Sequence, residues 1–176
     1  MPAAHAQEPA AADLGERLGR ALARRCVVAA IGNPLRGDDA AAKALLGRLE
    51  GALEATLVDA EEVPESHVGR IVQAQPEVVL LVDAVDLGAE PGAAALLGKD
   101  ALPPSGFSTH RPPLSVLMTY LEQETGAEVL LLGIQPKQTQ FGAPLSPEVE
   151  RTVEALSTLM ADRAPTSRDE TAARLR

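Results

Sequence analysis

The stretch Cys26-Val27-Val28-Ala29-Ala30-Ile31-Gly32-Asn33-Pro34-Leu35-Arg36-Gly37-Asp38-Asp39 decides the fold. Its first six residues are continuously apolar, the pattern of a strand buried on both faces in a parallel sheet. Gly32, Pro34 and Gly37 then force a turn. Asp38 and Asp39 stand where Ala42, Leu45, Leu46 and Leu49 begin an i, i+3, i+4, i+7 stripe, the spacing of one buried helix face. Strand, tight turn and helix together open a parallel β–α unit. Asp38 is placed to cap that helix, and a carboxylate at Asp39 complements the positive end of its dipole.

Outward from this unit the same alternation continues. Short apolar runs at 56–58, 78–82 and 129–132 predict further strands, and a weaker, Ala-rich run at 93–97 predicts a fifth. Between them, Val68, Ile71 and Val72 predict a helix that starts near Pro64 and stops before Pro76. Leu114, Leu117, Met118 and Leu121 repeat the helical spacing just after Pro112-Pro113, and proline is favoured in a first turn. Ser146-Pro147-Glu148 opens a last helix with Val149, Val153, Leu156 and Met160 on one face, and residues 14–23 predict an additional one. Strands alternating with helices imply right-handed crossovers and an α/β fold, a three-layer α/β/α sandwich with a mostly parallel central sheet. Strand order and any antiparallel member stay open at this point. The expected organisation is a disordered tail at 1–11, a single α/β domain at 12–163 and a charged, flexible tail at 164–176.

Length and composition agree. A chain of 176 residues suits one domain with ragged ends. A body of about 150 residues buries roughly two-thirds of its unfolded surface and needs no covalent staple. Cys26 is the single cysteine, which excludes a disulfide framework and a thiolate zinc site and suits a reducing compartment. Aromatic content is 2 % with no Trp, so the core must be built from Leu, Val, Ile and Ala. A formal net charge of −9 counts against nucleic-acid and anionic-membrane partners. The opening MPAAHAQEPAAADLG has neither a basic nor a long apolar segment, and no apolar run approaches the ~20 residues of a membrane span. A cytoplasmic monomer is the expectation.

Sites in open parallel sheets form beyond the carboxyl ends of the strands. Three segments bring chemistry there. For Asp39, in the first, dipole complement and functional group both remain open. In Leu81-Val82-Asp83-Ala84-Val85-Asp86, Asp83 ends a buried strand; a carboxylate there must be solvated, hydrogen-bonded or bound to a cation, or else anchor a loop. Asp86 reads as a turn residue beside Gly88. Asp59 ends the second strand and is a candidate for contacting substrate. The third segment, Gly106-Phe107-Ser108-Thr109-His110-Arg111-Pro112-Pro113, places His110 in a loop that can reach the same sheet edge; His5 and His67 are poorer candidates. Two converging carboxylates repel, and one keeps its proton unless a cation is present. Two oxygen donors, one imidazole and open positions suit Ni²⁺ or Zn²⁺ rather than a closed structural site. The sequence carries no G-x-G-x-x-G, phosphate loop, G-x-S-x-G or H-E-x-x-H, so nothing supports Ser108 as a nucleophile.

Taken in order, G-N-P-L-R-G-D-D, L-V-D-A-V-D-L-G, S-T-H-R-P-P-L and L-G-I-Q-P resemble the maturation endopeptidases of [NiFe]-hydrogenases, most closely the formate-hydrogenlyase-type branch. The resemblance runs from about Cys26 to Met160. It implies that Asp39, Asp83 and His110 are at once the catalytic residues and the metal ligands. The resemblance also implies that the ion is Ni²⁺ arriving in the substrate, with Zn²⁺ or Cd²⁺ as substitutes. By the same resemblance the chain removes the C-terminal extension of a hydrogenase large-subunit precursor after nickel insertion, by metal-dependent peptide hydrolysis. The alternative is a nickel checkpoint or chaperone that grips the precursor without cutting it. Asp59 and Gln135 are the expected substrate contacts. Two departures stand out: Ala40 and Ala42 replace glycines usual after the paired acids, and Asp59-Ala60-Glu61 replaces the D-G-G associated with substrate recognition.

Overall fold

The computed structural model describes residues 11–102 and 113–165. Five strands form one sheet: β1 (Cys26–Ile31), β2 (Thr56–Glu61), β3 (Val78–Ala84), β4 (Ala94–Leu97) and β5 (Glu128–Ile134), in the order β2-β1-β3-β5-β4. The β1–β2, β1–β3 and β3–β5 pairs are parallel; β4 runs antiparallel along β5. The fold is therefore the expected α/β sandwich with a mixed sheet. The antiparallel member is the Ala-rich run, which returns from the rim after β3 with no crossover helix before it.

Side-chain alternation along each strand divides the core into two layers. Val28, Ala30, Val78, Leu80, Val82, Leu132 and Ile134 face α1 (Ala11–Leu22), α2 (Ala41–Leu49) and α5 (Pro147–Arg163). Val27, Ala29, Ile31, Val79, Leu81, Val129 and Leu131 face α3 (Val68–Gln73) and α4 (Leu114–Thr125). All six residues of β1 are buried, as its unbroken apolar run requires. The helical stripes land as read: Leu45, Leu46 and Leu49 of α2, Leu117, Met118 and Leu121 of α4, and Val149, Val153, Leu156 and Met160 of α5 are all buried. α4 ends at Gly126 in the left-handed conformation, the usual stop. Of the two expected tails, residues 1–10 and 166–176 lie outside the described residues; Ala11 already belongs to α1.

Asp38 does not cap α2. The N-cap position falls on Ala40, with no side-chain cap bond, and a 3-10 turn (Gly37–Ala40) leads into the helix instead. The carboxylate has better partners elsewhere, as described below. Among the described residues no helix is long and apolar enough to cross a membrane.

Leu80 is fully buried in the middle strand. Leu80→Ala leaves a cavity between sheet and helices and should lower the unfolding free energy by about 2–5 kcal/mol, read from the denaturant midpoint at unchanged m-value.

Candidate active site

The carboxyl ends of the parallel strands meet at one rim, and the segments carrying Asp39 and Asp83 collect there. Ala30 pairs with Val82, so Asp83 stands level with Ile31, the last residue of β1. Neighbouring strands lie about 4.8 Å apart. Asp83 pairs in register with Gly133 of β5 and is 6 % exposed. By alternation it shares the sheet face of Val79 and Leu81, the face covered by α3 and α4. The 3-10 turn carrying Asp39 packs against β3. Two carboxylates thus flank the junction of β1 and β3.

Asp39 is held by the turn that precedes it. The Asn33 N–H donates to Asp39 Oδ2 at 2.7 Å, the short distance of a charge-assisted bond. Gly32 makes this approach feasible: its φ is +141°, and a Cβ on it would be driven into the carbonyl oxygen of Asp39. The Asn33 side chain fixes the rest of the turn. Its Oδ1 accepts from the Leu35 N–H at 2.8 Å and its Nδ2 donates to Glu62 Oε2 at 3.1 Å. In the sequence the signal for this arrangement is a glycine followed by asparagine, the pattern of an Asx-type turn.

Asp38, next in sequence, is fully buried. Its Oδ2 accepts from the backbone N–H groups of Lys137 (2.8 Å) and Gln138 (3.1 Å) and from the Ser146 hydroxyl (2.9 Å); its Oδ1 accepts from the Ser146 N–H (2.6 Å). Burial pushes the Asp38 carboxyl upward, but these four donors outweigh it and hold the group below its ordinary value. Three main-chain bonds complete the seam: Gly37 N to Ala143 O, Asp38 N to Gln138 O and Gly142 N to Leu35 O. The loop after β1 and the loop after β5 are in effect one unit.

Gln135 anchors a third loop. Its Oε1 accepts from Leu87 N (2.6 Å) and Ala89 N (3.3 Å), and its main chain bonds Ala93 and Gly92. It is 9 % exposed, and its amide oxygen is engaged with the segment that follows Asp83. Asp86 makes the expected turn, accepting from the Gly88 N–H at 3.0 Å.

Asp59 lies on the opposite sheet face from Asp83. It pairs with Lys43 of α2 at 2.8 Å; burial pushes its carboxyl up, and the Lys43 ammonium more than offsets this, leaving it below the ordinary value. The structure therefore does not bring Asp59 to Asp83. His110 lies outside the described residues. The described residues on either side of its segment, Leu102 and Leu114, both pack into the α3–α4 layer, the layer toward which Asp83 projects. Among the described residues no group of three His, Cys, Asp or Glu could hold a metal ion.

Cys26 begins β1, at the far end of the strand from this rim, and burial pushes its thiol up to about 12. It is a core residue rather than a nucleophile.

With this geometry in view, comparison with known proteins gives a consistent result. A family model described as "Hydrogenase maturation protease" matches residues 40–162. The hydrogenase 3 maturation protease of Escherichia coli K12 is 31 % identical over 133 residues, covering 74 % of this chain and 85 % of its own. The crystal structure of a [NiFe] hydrogenase maturation protease from Thermococcus kodakarensis superposes with a TM-score of 0.75 at 30 % identity, over 84 % of this chain and 97 % of that one. The solution structure of an Escherichia coli endopeptidase, HycI, gives 0.69 at 29 % identity, over 77 % and 88 %.

Asp38→Asn turns an amide N–H toward backbone N–H donors and removes the charge they solvate. It should cost roughly 3 kcal/mol, a fall in Tm of about 6–12 °C for a domain of this size. Because the folded-state pKa is depressed, the carboxylate's contribution is complete above the ordinary pKa of about 3.9 and is lost as pH falls through the lower folded value. The wild type should lose stability in that acid window, and Asp38→Asn should lose less, as read from thermal melts across pH.

Proposed function

Since the chain belongs to the hydrogenase maturation protease family and is an endopeptidase, we propose that it removes a C-terminal extension from a [NiFe]-hydrogenase large-subunit precursor whose nickel is already in place. The observation that supports this most directly is the pair of rim carboxylates: Asp39, aimed by the Asn33 N–H, and Asp83, at the buried end of the neighbouring strand. Two carboxylates at one strand junction offer a pair of oxygen donors to a cation. The nickel of the precursor is such a cation, and it belongs to the substrate.

In this reading Asp39 and Asp83 contribute hard oxygen donors and His110 an imidazole, a set that leaves positions open for groups of the substrate. An ion held there would polarise the scissile carbonyl or the water that attacks it. The chain's own part is orientation. Asn33 fixes the Asp39 carboxylate, Gly32 allows the turn to close against it, and Gln135 holds the loop leaving Asp83. Hydrolysis without a protein nucleophile accords with Cys26 at the far end of β1 and with the absence of an elbow serine motif. Asp59, committed to Lys43 on the other face, supports the β2 end rather than the peptide in this scheme.

The test is the mass of a purified, nickel-loaded precursor after incubation. Wild-type protein should yield the shortened product. Asp39→Asn, Asp83→Asn and His110→Ala should each slow processing by at least roughly 100-fold, about 2.7 kcal/mol in the barrier, while keeping a cooperative melt. An unchanged precursor mass with wild-type protein would overturn the function; full processing by the variants would overturn the site alone. A further variant probes the turn: Gly32→Ala should lose processing to a similar extent, because the methyl group displaces Asp39.

A further inference from the structure

Leu35, Val63 and Phe141 are exposed by 59 %, 46 % and 74 %. The chain contains two Phe, one Tyr and no Trp, and Phe141 gives its ring to solvent more fully than Tyr120, which is 45 % exposed on α4. Isolated exposed apolar residues are ordinary. These three are not isolated. They sit on the three loops that follow β1, β2 and β5, and each loop is tied to the next. The Gly142 N–H, adjacent to Phe141, donates to Leu35 O at 2.7 Å. Asn33 bonds both the Leu35 N–H and the carboxylate of Glu62, the neighbour of Val63. The same Asn33 donates to Asp39. The apolar lip is therefore continuous with the candidate active site.

The loops bearing these side chains are firmly held. The Asp38 clamp fixes the loops of Leu35 and Phe141, so their exposure is a property of the folded backbone rather than of a frayed segment. Apolar groups pre-positioned on rigid backbone lose little entropy on binding and make effective anchors. The charge beside them narrows the choice of partner. Among the described residues, exposed Glu61, Glu62 and Glu65 flank Val63, while Arg36 stands beside Leu35 and the Lys137 ammonium is turned to Glu148, in a chain of net charge −9.

We propose that Leu35, Val63 and Phe141 form the docking lip for the precursor polypeptide, and that they receive an apolar segment flanked by basic residues. This rests on the reading of the chain as a precursor peptidase and adds the recognition surface to it. Docking by side chains that border the site without touching the reacting atoms contributes binding common to ground and transition states, so its loss raises KM and leaves kcat in place. The acidic flank makes that binding sensitive to salt.

The experiment is steady-state processing of the nickel-loaded precursor by wild type, by the double variant Leu35→Ser/Phe141→Ser and by the conservative pair Leu35→Met/Phe141→Leu. The serine pair should raise KM on the order of tenfold or more with kcat within about twofold, and the conservative pair should restore KM. KM of the wild type should rise with ionic strength. Thermal midpoints of both pairs should match the wild type, since the altered side chains are exposed. Unchanged KM in the serine pair would overturn the proposal, as would a fall in kcat at unchanged KM, which would place these residues inside the chemistry. A KM indifferent to salt would overturn the basic-flanked partner. Wild-type protein that leaves the precursor uncut would instead overturn the peptidase reading on which the lip rests.

Discussion

A carboxylate removed completely from water must be solvated by the protein, and at Asp38 that requirement ties the loop after β1 to the loop after β5. Its donors come from Lys137, Gln138 and Ser146, about a hundred residues along the chain. In a low-dielectric interior these charge-assisted bonds are strong when complete and expensive when broken. The loop after β1 cannot leave the loop after β5 without stranding a charge. Everything at the rim inherits this: the 3-10 turn that carries Asp39, the exposed backbone of Leu35 and the loop that presents Phe141. Ser146 shows the priority of the clamp. As the residue before α5 it could cap that helix, yet both its N–H and its hydroxyl go to Asp38, and no side-chain cap bond forms.

The sheet adds a second constraint, through alternation. Asp59 and Asp83 end strands at the same rim but project to opposite layers, Asp59 toward α2 and Lys43, Asp83 toward the α3–α4 side. The bulge in the β1–β2 register, where Ala30 pairs with Asp59 and Ile31 with Glu61, re-aims the end of β2. It leaves Glu61 at φ +51° and turns the acidic segment outward, while Gly32 N still bonds Glu61 O at 2.9 Å. Strand ends that look equivalent in sequence therefore have different duties.

These two facts explain what the sequence disclosed and what it withheld. Strands and helices were legible because burial imposes a period: β1 and the faces of α2, α4 and α5 are where the apolar spacing put them. Asp83 at a buried strand end was legible for the same reason. Asp38 was misread because capping is a local rule, applied within a few residues, while its actual donors lie in a segment whose proximity only the folded sheet creates. Gln135 stood out in its motif, but its bonds to Leu87 and Ala89 depend on the β3–β5 pairing. Leu35 and Phe141 gave no signal, since one apolar residue in a turn has no period against which its exposure could be noticed. His110, which the family resemblance singled out, lies outside the described residues.

The rim's electrostatics follow from how Asp38 is neutralised. Backbone dipoles solvate its charge without cancelling it, and the depressed pKa keeps it ionised across the physiological range. Asp39 stands one residue away and Asp83 on the adjoining strand, with Glu61, Glu62 and Glu65 on the next loop. Lys137, whose N–H serves the clamp, turns its ammonium to Glu148 at 2.7 Å. Lys43 is paired with Asp59 on the other face. Among the described residues, Lys43 and Lys137 are thus already engaged by carboxylates of their own. A surface so arranged favours an incoming group that brings positive charge of its own, which is the property that a metal-loaded, basic-flanked polypeptide supplies and a free neutral peptide lacks.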